Sequence, residues 1–197
     1  MYRTTRVVFS AKGACMLIPK HAFEEVGGFD EDFFIFFEET DLCHRLWLAG
    51  YKVVYQPDSF IYHVAGGDTV DTYNYERRVY LTFKNMNCSY LKNFGTLFFA
   101  TIYPLFVLFQ IGVLSYFLVS LRFGVAMAIV RAWWWNILSI RSTLQKRHTI
   151  QHHLRVVTDS TIRKSICYNP GLYYYFCLLF DAKRYRHGRL AAYEVTL

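Results

Sequence analysis

The chain has 197 residues, of which 54% are hydrophobic, 19% are aromatic and only 19% are charged. This length predicts one domain, or one domain with an appendage. The apolar share exceeds what a soluble core of this size normally uses, so a membrane is expected. The net charge is +7. The basic residues come after hydrophobic runs and no known nucleic-acid motif is present, which argues against a nucleic-acid partner. The five scattered cysteines form no CxxC pair of the metal or redox type.

Residues 1–70 predict a compact unit of short alternating elements. A helix is expected over residues 19–26, where Pro19 suits the first turn and Gly27 and Gly28 end it. A second helix is expected over residues 39–49, with Gly50 as its stop. Short apolar or alternating runs predict strands over residues 7–10, 14–18, 51–55 and 60–64.

Residues 71–96 predict a helical connector along the membrane surface, with a cationic side formed by Arg77, Arg78, Lys84 and Lys92. Residues 97–119 then contain no charge and are long enough to cross a hydrocarbon core of roughly 30 Å. Pro104 is tolerated in such a helix.

Residues 123–140 are also apolar, although they carry Arg131 and three consecutive tryptophans. A central arginine costs about 2.5 to 3.5 kcal/mol on insertion scales, which is bearable if it reaches an interface or a partner. We expect a transmembrane hairpin over residues 97–140 that turns near residues 120–124. One crossing followed by an interfacial helix is the alternative.

Residues 141–197 form a basic tail with ten Lys or Arg against three Asp or Glu. The segment before the first apolar run is basic too. If both flanks obey the positive-inside tendency, the chain is a multi-pass protein of the cell membrane with its N-terminal unit and tail in the cytoplasm.

The segment FDEDFFIFFEETDLCHRLWL, residues 29–48, places an acidic cluster between aromatic residues and then continues as a helix. It is preceded by ACMLIP (14–19) and VGGFDEDFF (26–34), and it contains EETDL (38–42) and Arg45. AGYKVVYQP (49–57) and YHVAGGDT (62–69) follow. In this order the blocks resemble the acceptor-side motif of family 2 glycosyltransferases, of the membrane-associated, rhamnosyltransferase-like kind.

The resemblance implies an α/β fold: the C-terminal part of a glycosyltransferase A-type, Rossmann-like domain, followed here by the membrane hairpin and the basic tail. It implies an inverting transfer from a nucleotide-sugar donor to a lipid-linked or envelope glycan acceptor. The complete enzyme would need a divalent metal, Mg or Mn. The family's N-terminal nucleotide-binding half is not recognised in this chain, so donor binding is expected from a missing or separate half.

By resemblance, the catalytic base stands at Glu39, where the family usually has Asp, and Glu38 and Asp41 are the alternatives. Phenylalanines around these residues could shield the base from water, although ordinary core packing is the preferred explanation for them. Asp41 and Arg45 are spaced to pair on one helix face. The resemblance suggests that this pair shapes the floor of the site.

Three further residues are candidate ligands. Asp30 could bind acceptor hydroxyls or cap its turn. By resemblance, His63 helps to hold the metal or the diphosphate, and Thr69 adds a hydroxyl contact. Asp30 and Asp32 have the spacing of a metal-binding Asp-x-Asp motif, but they lie inside the acceptor-side motif and are not counted as the donor metal site.

A reading from another class remains open at this stage. Glu at the position of the base and the unrecognised donor half also fit a non-catalytic, truncated relative that acts as a membrane partner or scaffold protein. A small transporter subunit has little support, since Arg131 has no acidic partner in the apolar segments.

Overall fold

The computed structural model describes residues 4–62 and 74–166, which form a mainly helical structure with one small sheet. The strands are β1 (Arg6–Val7) and β2 (Val54–Tyr55), and the helices are α1 (Lys20–Glu25), α2 (Glu38–Leu48), α3 (Tyr75–Asn93), α4 (Thr96–Val119), α5 (Phe123–Leu138), α6 (Ile140–Thr149) and α7 (Asp159–Ser165). A π-helical turn, Ile150–Leu154, continues α6.

Helix α2 lies at the centre of the N-terminal unit. Its residues Leu42 and Leu46 lie one turn apart and pack against Ala22 and Val26 at α1. On another face, Trp47 and its neighbour Leu48 pack against the π-helical turn and α7. The helix is therefore covered on several sides, which fixes the direction in which its first turn points.

The predicted helices of this unit are found close to their expected bounds. Helix α1 follows Pro19 and ends before Gly27 and Gly28, which have φ values of 80° and 64°. A Cβ on Gly28 would also lie 3.2 Å from the Phe23 ring. Helix α2 ends before Gly50, whose φ is 91°. These left-handed conformations favour glycine, which is why the stop signals were readable.

The strand predictions were largely wrong for the described residues. Only the antiparallel pairs Arg6 with Tyr55 and Val7 with Val54 form, while residues 14–18 and 60–62 are not in strands. Residues 63 and 64 lie outside the described part. The apolar side chains of Met16 and Ile18 instead pack against the α1–α2 core from an irregular segment. The Rossmann-like arrangement therefore stays a prediction.

Helix α3 confirms the helical connector but corrects its orientation. It begins after Asn74, whose side chain accepts a hydrogen bond from the Arg77 amide at 2.9 Å. Lys84 and Lys92, expected on a cationic side, are only 6% and 1% exposed. They are buried because both side chains reach oxygen atoms of the segment before α2, as described below.

Helix α4 has 24 residues and is the one helix in the described residues that is long and apolar enough by itself to cross a membrane. The chain reverses at Ser120–Arg122, where the turn was expected. Helix α5 has 16 residues, and the segment Ile140–Leu154 that follows it is bent away by 64°. The described residues contain a second possible span only if α5 and this segment are counted as one. A hairpin that crosses the membrane twice stays a prediction.

Candidate active site

The segment that leads into α2, residues 29–37, has an unusual backbone and is held by α3. Phe36 and Phe37 have φ values of 67° and 73°, in the left-handed region that non-glycine residues rarely occupy. The Asn85 amide donates to the carbonyl oxygens of Ile35 at 3.0 Å and Phe36 at 2.6 Å. We call residues 29–37 the aromatic loop. Strain of this kind persists where the surroundings enforce it, and it is common at functional sites.

Glu38 and Glu39 occupy the first turn of α2, immediately after the aromatic loop, and both are half-buried. One carboxylate oxygen of each is buried and has no hydrogen-bond partner among the described residues. Burial raises the pKa of Glu38 above its ordinary value, the Glu39 carboxylate raises it further, and Lys12 opposes the rise. A carboxylate with a raised pKa binds a proton more readily than an exposed one, which is the property that general-base chemistry uses.

Glu39 faces the segment between β1 and α1. A Cβ placed on Gly13 would lie 3.8 Å from the Glu39 Cβ, and the Ser10 hydroxyl lies 3.3 Å from that of Thr40. Residues 10–13 therefore pack against the first turn of α2, beside Glu39.

Asp41 lies on a different side of α2 and is fully buried. Its Oδ2 is 2.9 Å from Arg45 Nη2 and 3.0 Å from Lys92 Nζ, and its Oδ1 accepts a hydrogen bond from Asn93 at 2.8 Å. Burial opposes ionisation of Asp41, but the charges of Lys92 and Arg45 outweigh it and lower its pKa. Its contacts make Asp41 a structural anion.

Arg45 ties this buried charge to the turn before the aromatic loop. Its Nη1 donates to the carbonyl oxygens of Val26 at 2.5 Å and Gly28 at 2.7 Å. The expected pair of Asp41 and Arg45 is therefore present, but it is buried and fastens the Gly-Gly-Phe-Asp turn. Breaking a buried pair of this kind destabilises the fold more than breaking an exposed pair, because it leaves an unpaired buried charge.

Asp30, in the aromatic loop, forms ion pairs with two lysines, each from a different helix. It forms an ion pair with Lys92 of α3 and another, at 2.5 Å, with Lys146 of α6. Burial works against its ionisation, but the charge of Lys92 and the hydrogen bonds from both lysines lower the pKa of Asp30 to about 2. We call Asp30, Asp41, Arg45, Lys92 and Lys146 the ion cluster.

The described residues do not fit a divalent metal. Asp30 and Asp32, which have the spacing of a metal motif, are both bound by Lys146, at 2.5 and 2.6 Å. An ammonium group thus lies between the two carboxylates. Within residues 4–62 and 74–166, no group of three His, Cys, Asp or Glu side chains could hold a metal ion. His63 and Thr69, the remaining candidates, lie outside the described residues.

The structure brings three predicted residues, Asp30, Asp41 and Arg45, into the ion cluster. Glu38 and Glu39 lie together in the first turn of α2 and have no contact with that cluster among the bonds described. Sequence reasoning missed the partners Asn85, Lys92, Asn93 and Lys146. One signal existed: Asn85, Ser89 and Asn93 are spaced by four residues and form an uncharged polar line on one helix face, which a cationic membrane-surface helix does not explain.

Comparison with known proteins agrees with the motif. The profile described as glycosyl transferase family group 2 matches residues 1–153. The chain is 45% identical over 51 residues to the N-acetylglucosaminyl-diphospho-decaprenol L-rhamnosyltransferase of Mycobacterium tuberculosis, which covers 26% of this chain and 17% of that protein. It is 40% identical over 68 residues to rhamnosyltransferase WbbL of Escherichia coli K12, covering 34% and 25%.

The chain therefore belongs to glycosyl transferase family group 2. The matched segments span a quarter or less of the length of these two relatives. No solved structure gives a significant match.

Proposed function

We propose that this chain supplies the acceptor-binding part and the catalytic base of an inverting glycosyltransferase. The observation that carries the proposal is the pair Glu38 and Glu39, which stands at the start of a rigidly held helix with one unpartnered, buried oxygen on each carboxylate. The pair lies within residues 1–153, the part of the chain that matches the family.

The chemistry follows from the position of the base. Glu39 accepts the proton of an acceptor hydroxyl as that oxygen attacks the anomeric carbon of the sugar. The bond from that carbon to the nucleotide diphosphate breaks on the opposite face, so the configuration inverts. Glu38 lies beside Glu39, and its raised pKa marks the surroundings as poor in water. The ion cluster takes no proton in this scheme and holds the aromatic loop and α2 in place.

The same scheme reassigns several candidates. Asp41 is too deeply buried to meet an acceptor, and Asp30 is held by Lys92 and Lys146. We therefore assign these two residues, and Arg45, to positioning of the site. His63 remains proposed to hold the metal or the diphosphate, and Thr69 to add a hydroxyl contact; a divalent metal belongs to the donor side of the complete enzyme.

The acceptor is proposed to be lipid-linked. Helix α4 is long and apolar enough to cross a membrane, and an anchor of this kind raises the local concentration of a membrane-held substrate. The Mycobacterium relative is named for an N-acetylglucosaminyl-diphospho-decaprenol acceptor, so an isoprenoid diphosphate carrier is the class proposed for this chain. The catalytic part is proposed to face the cytoplasm, where nucleotide sugars are made, with donor binding supplied by another segment or chain.

The proposal is tested by a transfer assay in membranes that contain this chain together with a donor-binding half. Replacing Glu39 by Gln removes the base and keeps its size, so we expect transfer to fall by about 100- to 10,000-fold. The matched control is Glu31→Gln, an exposed acidic residue of the aromatic loop, which should leave the rate within about twofold of the unaltered chain.

Two outcomes would contradict the proposal. Undiminished transfer by Glu39→Gln would remove this residue as the base. Normal membrane assembly with the donor half but no transfer by the unaltered pair, under any nucleotide sugar, would instead favour the scaffold role.

A further inference from the structure

The part of α4 nearest α3 borders a groove that the proposed chemistry does not use. The groove is about 440 Å³ in volume, and Leu91 of α3, Val107 and Ile111 of α4, and Ile137 of α5 are among the residues that line it. Its size is within the range of small-ligand sites, about 300 to 1,000 Å³. It lies along the one described helix that is long and apolar enough to span a membrane.

The polar groups at the floor of the groove bond to one another and leave its walls apolar. The Asn87 amide nitrogen donates to Gln110 Oε1 at 2.9 Å, and the Trp133 indole donates to the same oxygen at 2.7 Å. The Tyr103 hydroxyl donates to Asn87 Oδ1 at 3.1 Å. This network ties α3, α4 and α5 to one another, so the three helices that line the groove are fixed relative to each other.

A positive charge lies next to the groove, in contact with the backbone of one of its lining residues. Arg147 of α6 donates to the carbonyl oxygens of Leu91 at 2.6 Å and Phe94 at 2.7 Å, and its guanidinium lies 5.2 Å from the centre of the Phe99 ring. Among the described residues no carboxylate pairs with Arg147. Phe99 lies in the first turn of α4, so this charge is at the level where the apolar helix begins.

The groove and the candidate active site share the last turn of α3. Leu91 lines the groove, while the next two residues, Lys92 and Asn93, bind Asp30 and Asp41 of the ion cluster. A molecule with its tail in the groove and its head beside Arg147 would therefore end close to the residues that position Glu38 and Glu39.

We propose that this groove binds the hydrocarbon tail of an isoprenoid diphosphate, with the diphosphate at Arg147. The inference rests on the proposed function, which names this class of acceptor carrier. An apolar lining suits a hydrocarbon, and the unpaired guanidinium suits a phosphate group.

The test uses the full chain in lipid nanodiscs and a sugar-free isoprenoid diphosphate with a photoreactive diazirine in its tail. We expect crosslinks at residues 107, 111 and 137. Ile137→Trp fills the groove and should lower labelling about tenfold, which corresponds to about 1.4 kcal/mol. Leu138→Trp is the matched control, since Leu138 is the next residue, is similarly exposed (67% against 60%) and does not line the groove. Labelling of that variant should not change.

The charge is tested separately with Arg147→Gln and two probes, the diphosphate and the corresponding alcohol. Loss of labelling by the diphosphate alone supports the headgroup site, whereas loss with both probes shows that the groove itself has been damaged and contradicts an independent role for the charge. Equal loss in Ile137→Trp and Leu138→Trp, equal competition by a phospholipid, or crosslinks to a second copy would overturn the inference. No donor or transfer step enters this assay, so its failure is distinct from failure of the Glu39 assignment.

Discussion

At the residue scale, the acidic residues of one short segment have different surroundings and therefore different roles. Glu38 and Glu39 retain unpartnered oxygens, whereas Asp41, two residues later, is enclosed by Arg45, Lys92 and Asn93. The sequence placed Glu39 and Asp41 on one predicted helix, with Glu38 immediately before it, but could not separate their roles. The difference arises because α2 is buried from Asp41 onward while its first turn is only half-buried.

His44 provides a residue-scale prediction about acid stability. It is 4% exposed and packs edge-on between Phe9 and Phe94. Burial lowers the pKa of His44 from 6.5 to about 4, although the charges of Asp41 and Asp159 oppose the shift. The unfolded chain therefore binds a proton that the folded chain does not between these pH values. The stability contribution is complete above about pH 6.5 and is lost as the pH falls to about 4.

The expected loss is about 3 kcal/mol, at 1.36 kcal/mol for each pKa unit. Thermal unfolding of the detergent-solubilised chain from pH 7 to pH 4 measures it. His44→Phe should flatten the dependence in this window, while replacement of the exposed His21 by Phe should not. The Asp30 contribution, with a folded pKa of about 2, is lost only below about pH 4, so the two windows are separate. An unchanged profile in His44→Phe would show that another group controls acid unfolding.

At the element scale, α3 organises the site. One face of the helix supplies Lys84, Asn85 and Lys92 to the aromatic loop and the ion cluster, and another supplies Asn87 and Leu91 to the groove. The helical character of residues 71–96 was predicted from the sequence. The role of the helix was not, because the partners of its buried lysines come from the aromatic loop and α2, more than fifty residues earlier.

Substitution of Lys92 tests whether α3 holds this arrangement together. Lys92→Met leaves Asp30 and Asp41 short of a cation in a buried place, which typically costs about 3 to 5 kcal/mol. The matched control is Lys20→Met, whose side chain is 87% exposed and pairs with Glu24 at 3.6 Å; a change within about 0.5 kcal/mol is expected. The thermal unfolding midpoint of each variant measures the effect.

A double variant separates charge from packing. Adding Asp30→Asn to Lys92→Met removes one of the stranded charges, so the pair should lose less stability than the two single changes added together. Strict additivity, or a Lys92→Met variant as stable as Lys20→Met, would show that the ion cluster does not hold the loop.

The sequence predicted the helices of the N-terminal unit better than its strands. The ends of α1 and α2 were found because Gly27, Gly28 and Gly50 require positive φ. The strands at residues 14–18 and 60–62 failed because short apolar runs also suit irregular segments that pack onto a helix core. Phe36 and Phe37 gave no sign of their left-handed backbone, since it is imposed by Asn85 from another element.

At the scale of the whole molecule, the number of membrane crossings determines on which side of the membrane the N-terminal unit and the turn after α4 lie. Cys15 is exposed, whereas Cys43 and Cys88 are buried, so Cys15 reports on the N-terminal unit once Cys167 and Cys177 are replaced by Ser. If residues 97–140 cross the membrane twice, an impermeant maleimide should label Cys15 only after permeabilisation. Ser120→Cys, in the exposed turn between α4 and α5, should be labelled in intact cells. Labelling of both sites only after permeabilisation would show that α4 does not cross the membrane and would contradict the hairpin.

The matched family, the position of the glutamates and the anchoring helix converge on one claim, that Glu39 takes the proton of the acceptor hydroxyl. The most direct measurement compares single-turnover transfer by the unaltered chain, Glu39→Asp and Glu39→Gln, each paired with the same donor-binding half. Aspartate keeps a carboxylate but is one methylene shorter, and misplacement of about 1 Å costs roughly a hundredfold. We predict that the aspartate variant is slowed but active and that the glutamine variant is slower still. A glutamine variant as fast as the aspartate variant would contradict the assignment.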